Sequence, residues 1–140
     1  MNFKNIHIGQ KLIERVAESG VETSRICNFL KCSVEETEEM YKAKSLDSEI
    51  LLKWSKLLKY DFFRLYSQHL IFYAPQTTAD DKIKVKKSSL PKFRKNIYTK
   101  EVIDFMIEQI ESNKMTKDEV VIKYRIPKTT LHKWISKYRS

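Results

Sequence analysis

The chain has 140 residues, 41% apolar and 32% charged, with two Gly, three Pro and a formal net charge of +9. That balance suits a folded globular protein, one ordinary domain or two very small ones, rather than a disordered chain. Few glycines argue against turn-rich all-β folds, and no apolar run approaches the ~18 residues that span a bilayer.

The predicted elements are all helical. Ile8, Leu12 and Val16 recur at helical spacing until "ESGVE" interrupts them at Gly20. Glu22 to Leu30 reads as a second helix, with Ile26, Phe29 and Leu30 as its apolar side. Ser33 opens a third, "SVEETEEMYKAKS", where Thr37, Met40, Tyr41 and Lys44 share the inner side. Asp47 or Ser48 opens a fourth, whose Ile50, Leu51, Trp54, Leu57 and Leu58 form the densest apolar face in the chain. The aromatic segment "YDFFRLYSQHLIFY" is a fifth helix ending before Pro75. Residues 74–97 lose all periodicity and collect Lys82, Lys84, Lys86 and Lys87 among Ser, Thr and Pro, the composition of a basic linker. Helical spacing then resumes: Val102, Phe105, Met106 and Ile110; next Val120, Val121 and Tyr124 behind the T-x-x-E capping pattern of Thr116 and Glu119; and a final helix after "YRIP", with Pro127 suited to its first position. The expected fold class is all-α: a first module over 1–73, a linker over 74–97 and a three-helix module over 98–140.

The charge is uneven. Residues 1–73 hold 11 Lys and Arg against 10 Asp and Glu, residues 74–98 hold 7 against 2, and residues 99–140 hold 9 against 6. The basic excess therefore lies after residue 73, and it points to phosphate or another anionic surface. On the last helix, at 100° per residue, Leu131, Trp134, Ile135 and Tyr138 form the packing face. Thr129, Lys133 and Ser136 lie opposite, His132 and Lys137 flank them, and no carboxylate interrupts. Lys128 and Thr129 stand in the first turn, where free backbone N–H groups suit a phosphate.

No enzyme signature occurs. His7, His69 and His132 are isolated, and two glycines cannot build a phosphate-cradling loop. Cys27 and Cys32 are too few for a disulfide framework and have no second ligand pair for zinc, so no metal or cofactor is implied. They read as a small helix hydrophobe and a turn residue in a reducing cytosol, and the N-terminus lacks a signal peptide's apolar core. "DFFRLYSQHLIFYA" has no basic polar face for a membrane surface and reads as core or dimer interface.

The segment "RKNIYTKEVIDFMIEQI…MTKDEVVIKYRIPKTTLHKWISKYR" resembles the homeodomain-like helix-turn-helix of insertion-sequence transposases. The resemblance implies that the last helix reads a major groove through Lys128, Thr129, Thr130, His132 and Lys133, with Trp134 in the core. Lys137, Arg125 and the linker residues Lys84, Lys86 and Lys87 are the accompanying phosphate candidates. The catalytic domain of such enzymes, with its carboxylate triad, has no counterpart, so this chain by itself is not expected to cut or join DNA.

"IGQKLIERVAESGVETSRICNFLKCSVEETEEMYKAKSLDSEILLKWSKLLKYDFFRLY", residues 8–66, resembles the Cro/repressor-type helix-turn-helix family. That resemblance implies a five-helix module whose third helix reads DNA with Val34, Glu35, Glu36, Glu38 and Glu39. Capping by Ser33 and Glu36 accounts for part of this acidity, and a Glu38–Lys42 pair for more. Glu35 and Glu39 remain, opposing the phosphate contacts that drive DNA binding. The sequence therefore points to a cytoplasmic, bacterial, non-enzymatic partner of double-stranded DNA, either a transcriptional regulator or a transposase-related accessory protein. The N-terminal module is left with dimerisation, partner binding or unusual reading. The competing reading is an antitoxin-like interaction adaptor in which neither helix reads bases.

Overall fold

The computed structural model describes residues 3–74, 89–91 and 97–138, and among them the chain is all-α: eight helices and no strand. The candidate phosphate residues Lys84, Lys86 and Lys87 lie outside the described residues. The chain divides into two compact units, one ending at Tyr66 and the other starting at Ser67.

The first unit is built on α1 (Ile8–Ser19), α2 (Thr23–Leu30), α3 (Val34–Lys42) and α4 (Ser48–Leu58), with the opening turn of α5 (Phe63–Tyr73). Every start but that of α2, where Glu22 makes no side-chain cap, carries local chemistry. His7 Nδ1 accepts from Gln10 N at the head of α1, so this isolated histidine is a helix cap. Ser33 Oγ accepts from Glu36 N at α3, and Asp47 accepts from Glu49 N at α4. The ends are less usual. Gly20 closes α1 at φ 69°, but Lys31 closes α2 at φ 54° and Lys59 closes α4 at φ 51°. A lysine in this left-handed region carries strain that a glycine would not.

The core forms where Ile8 and Leu12 of α1, Ile26 and Leu30 of α2, and Leu51, Trp54, Leu57 and Leu58 of α4 meet Phe62 and Leu65. Trp54 is fully buried, its indole N–H directed at Met40 Sδ at 3.2 Å, with Tyr41 tilted against its ring at 5.9 Å. Arg15 joins α1 to the end of α4: its Nε donates to the Leu58 carbonyl at 3.2 Å and its guanidinium lies over the Tyr60 ring. Two sequence expectations are corrected. Phe29 does not join Ile26 and Leu30 inside; it lies on the other side of Ile26 from Leu30, away from the core, and is 46% exposed. Lys44 is not on an inner helical side, because α3 ends at Lys42 and Ala43 is extended; Lys44 contributes its carbonyl instead.

That carbonyl belongs to the tightest joint in the unit. Ile8 N donates to Lys44 O and Gly9 N to Ala43 O, both at 2.9 Å, so the first turn of α1 abuts the end of α3. A Cβ at Gly9 would stand 2.2 Å from Tyr41 O, 2.6 Å from Tyr41 C and 2.8 Å from Ala43 O, all backbone atoms. Only glycine permits the approach.

The second unit contains the rest of α5 with α6 (Lys100–Glu111), α7 (Lys117–Tyr124) and α8 (Lys128–Tyr138). The sequence boundary at residue 73 and the packing boundary thus differ, because Ser67–Tyr73 packs with the later helices. Phe72 meets Phe105 and Tyr124 edge-on at 5.1 and 5.2 Å. Buried Gln68 hydrogen-bonds Thr99, whose Oγ1 also caps α6 at Val102 N. The inner side of α6 is Val102, Ile103, Met106 and Ile107, one position round from the predicted line, with Phe105 and Ile110 half-buried at its edge. The shift follows from α7 and α8 both packing on α6, which widens the side that is covered. No helix of the described residues is long and apolar enough to cross a membrane.

Two substitutions test these joints in urea unfolding followed by Trp54 fluorescence, in a Trp134→Phe background. Gly9→Ala lowers stability by about 3 kcal/mol or more, since its methyl meets backbone rather than yielding side chains. Lys59→Gly raises it by up to about 1 kcal/mol by relieving the left-handed turn.

Candidate nucleic-acid interface

The geometry of the C-terminal site begins with α7. Thr116 Oγ1 accepts from Glu119 N and Glu119 Oε2 accepts from Thr116 N, both at 3.2 Å, so the capping box read from the sequence closes in both directions. Arg125 ends the helix at φ 56°, and the N–H of Ile126 reaches back to Val121 O at 3.3 Å. This six-to-one closure turns Ile126 inward, where it is buried, while Arg125 stays exposed. Pro127 lies just before α8, one position earlier than expected, and its carbonyl accepts from Leu131 N at 3.1 Å.

Leu131 and Trp134 seat α8 on its neighbours, and Tyr98 stands edge-on to Trp134 at 4.9 Å. Ile135 is half-buried. Tyr138, expected on the packing face, is instead 39% exposed beneath the Lys137 ammonium, because the last turn of α8 runs past the core. The outward side brings together Lys128, Thr129, His132, Lys133, Ser136 and Lys137, all exposed, with Thr130 half-buried at the flank and Arg125 exposed in the preceding turn. No carboxylate occurs along α8. Lys123, an exposed cation two residues before Arg125, was not among the sequence candidates; its place in the last turn of α7 was the available signal.

The corresponding surface of α3 is opposite in character. Glu35, Glu36, Glu38 and Glu39 are all exposed, with only Thr37 buried. Lys42 pairs with Glu39 at 3.7 Å rather than with Glu38. Both spacings bring a lysine within reach on a helix, and a pair this exposed contributes only a few tenths of a kcal/mol. Exposed Phe29 and Val34 flank the same turn. Behind α3, burial pushes the Tyr41 phenol above its ordinary value, with further contributions from Cys27 and Cys32. Among the described residues no three His, Cys, Asp or Glu side chains gather as a metal site. Compared with protein-family models, curated proteins and solved structures, the chain gives no match.

The Thr116–Glu119 box holds the start of α7, and α7 in turn sets the angle of α8. Thr116→Ala is expected to lower stability by about 1 kcal/mol in chemical denaturation read at Trp134, with Trp54 replaced by Phe.

Proposed function

We propose that the chain is a non-enzymatic protein of double-stranded DNA, a transcriptional regulator or a transposase-related accessory factor. In this reading α7, its turn and α8 act as a helix-turn-helix and α8 enters the major groove. The observation that carries it is the outward side of α8: six exposed cationic, imidazole or hydroxyl side chains, and no carboxylate anywhere along the helix. Lys133 and Thr129 are central enough to reach base edges, while Lys128, Lys137 and Arg125 suit phosphates on either side. The positive end of the α8 backbone supports an anion near Lys128.

The acidic surface of α3 favours a second role for the N-terminal unit. Four exposed glutamates beside exposed Phe29 and Val34 suit protein contact, including a homodimer, better than a phosphate backbone. An interaction adaptor in which neither helix reads bases is the competing reading.

Fluorescence anisotropy of the full chain on duplex DNA separates the two. We expect affinity to fall steeply as salt rises from ~50 to ~200 mM, with Lys133→Glu weakening binding about tenfold and Glu39→Lys leaving it unchanged or tighter. Absence of binding at low salt, or binding indifferent to both salt and Lys133, would overturn the DNA reading and leave the adaptor.

A further inference from the structure

Cys27 and Cys32 have no part in the surfaces described so far, yet the backbone places them together. Lys31 closes α2 in the left-handed conformation, and the N–H groups of both Lys31 and Cys32 point to the Cys27 carbonyl, the latter at 3.1 Å. A helix closed in this way brings the side chain of the second residue beyond its end against the one five positions earlier. Val121 and Ile126 hold the same two positions at the end of α7, and Ser55 and Tyr60 at the end of α4. In α2 the two positions carry thiols, and they are the chain's two cysteines.

Both sulfurs converge on one atom. Cys32 Sγ lies 3.3 Å and Cys27 Sγ 3.8 Å from Thr37 Oγ1. Thr37 is 1% exposed and gives its own hydroxyl proton to the Ser33 carbonyl at 3.1 Å. A hydroxyl has one proton and two lone pairs, so the S–H groups are the donors toward this oxygen. The cysteines are unbridged and half-buried, their sulfurs share one hydroxyl as neighbour, and they are open enough for a small reagent.

We propose that Cys27 and Cys32 form a dithiol modification site that low-molecular-weight disulfides convert to an intramolecular disulfide at the turn between α2 and α3. One thiolate attacks a sulfur of oxidised glutathione; a protein–glutathione S–S bond forms, the reagent's S–S bond breaks, and one glutathione leaves as thiolate. The second protein thiolate attacks the protein sulfur of that mixed disulfide and releases the other glutathione. Two protein thiols lose two electrons and two protons, and one oxidised glutathione becomes two glutathione thiols. The product withdraws both S–H donors from Thr37, the only buried residue of α3. The site therefore links the redox state of the surroundings to the seating of that acidic helix, whatever α3 binds.

The test uses the full chain, reduced, desalted and mixed with oxidised glutathione near pH ~8, where thiolates form. Intact mass should fall by two hydrogens at monomer mobility, proteolysis should yield a peptide linking Cys27 to Cys32, and dithiothreitol should reverse both. Cys32→Ser, checked for helicity by circular dichroism, should stop at one retained glutathione. Closure in the native chain should be at least about tenfold faster than in urea, since the α2 closure holds the pair together. A native chain that stays reduced, collects two glutathiones, crosslinks only between molecules, or closes no faster than the unfolded chain overturns the proposal. The wild-type mass decides even if the serine variant fails to fold.

Discussion

The first unit depends on how closely α1 can approach α3. With glycine at position 9, the backbone of α1 comes within hydrogen-bonding distance of Ala43 and Lys44, and two 2.9 Å bonds fix the angle between the helices. That angle sets everything behind it. It brings Ile8 and Leu12 onto Trp54, leaves Met40 Sδ beside the indole N–H, and turns Thr37 inward toward the cysteines. The glutamates of α3 are exposed as a consequence: once Thr37, Met40 and Tyr41 face the core, the remaining positions of a nine-residue helix must face water.

A second constraint repeats along the chain. Having only two glycines, it ends α2, α4 and α7 with Lys31, Lys59 and Arg125 in the left-handed region. Each closure reverses the chain within a few residues and sets the direction of the next helix, among them α3 in the first unit and α8 in the second. The side chain at the left-handed position points outward, so these turns display cations where a glycine would display nothing. At Arg125 that cation adjoins the proposed DNA-reading helix. At Lys31 it separates the two cysteines in sequence while the backbone brings them together in space.

The short helices α3 and α8, each entered from such a turn, diverge in charge. Helix α3 carries its acidity where solvent reaches it, and its one exposed pair, Glu39 with Lys42, removes little of it. Helix α8 carries cations and hydroxyls over the same kind of surface. Similar backbone devices thus present opposite electrostatics, which is why a phosphate partner is proposed for one unit and a protein partner for the other.

Much of this was legible in sequence because it rests on local rules. Helical periodicity, the Thr116–Glu119 box, the Ser33 and Asp47 caps and the outward cations of α8 each depend on residues within one or two turns of one another. What the sequence did not contain is how completely each helix is covered. Phe29 and Tyr138 have apolar side chains at plausible core positions, yet both are left exposed. Ile103 and Ile107 are buried because α7 and α8 both lie on α6. Packing also assigned the end of α5 to the second unit through Phe72 and Gln68, where composition placed the boundary after the helix. The sequence by itself determined the helical class and the charge each helix carries, since both follow from residue type and short-range spacing. Only the tertiary structure decided which faces meet, why position 9 admits no side chain, and that two cysteines five residues apart converge on one threonine, because these depend on approach between segments that no local pattern encodes.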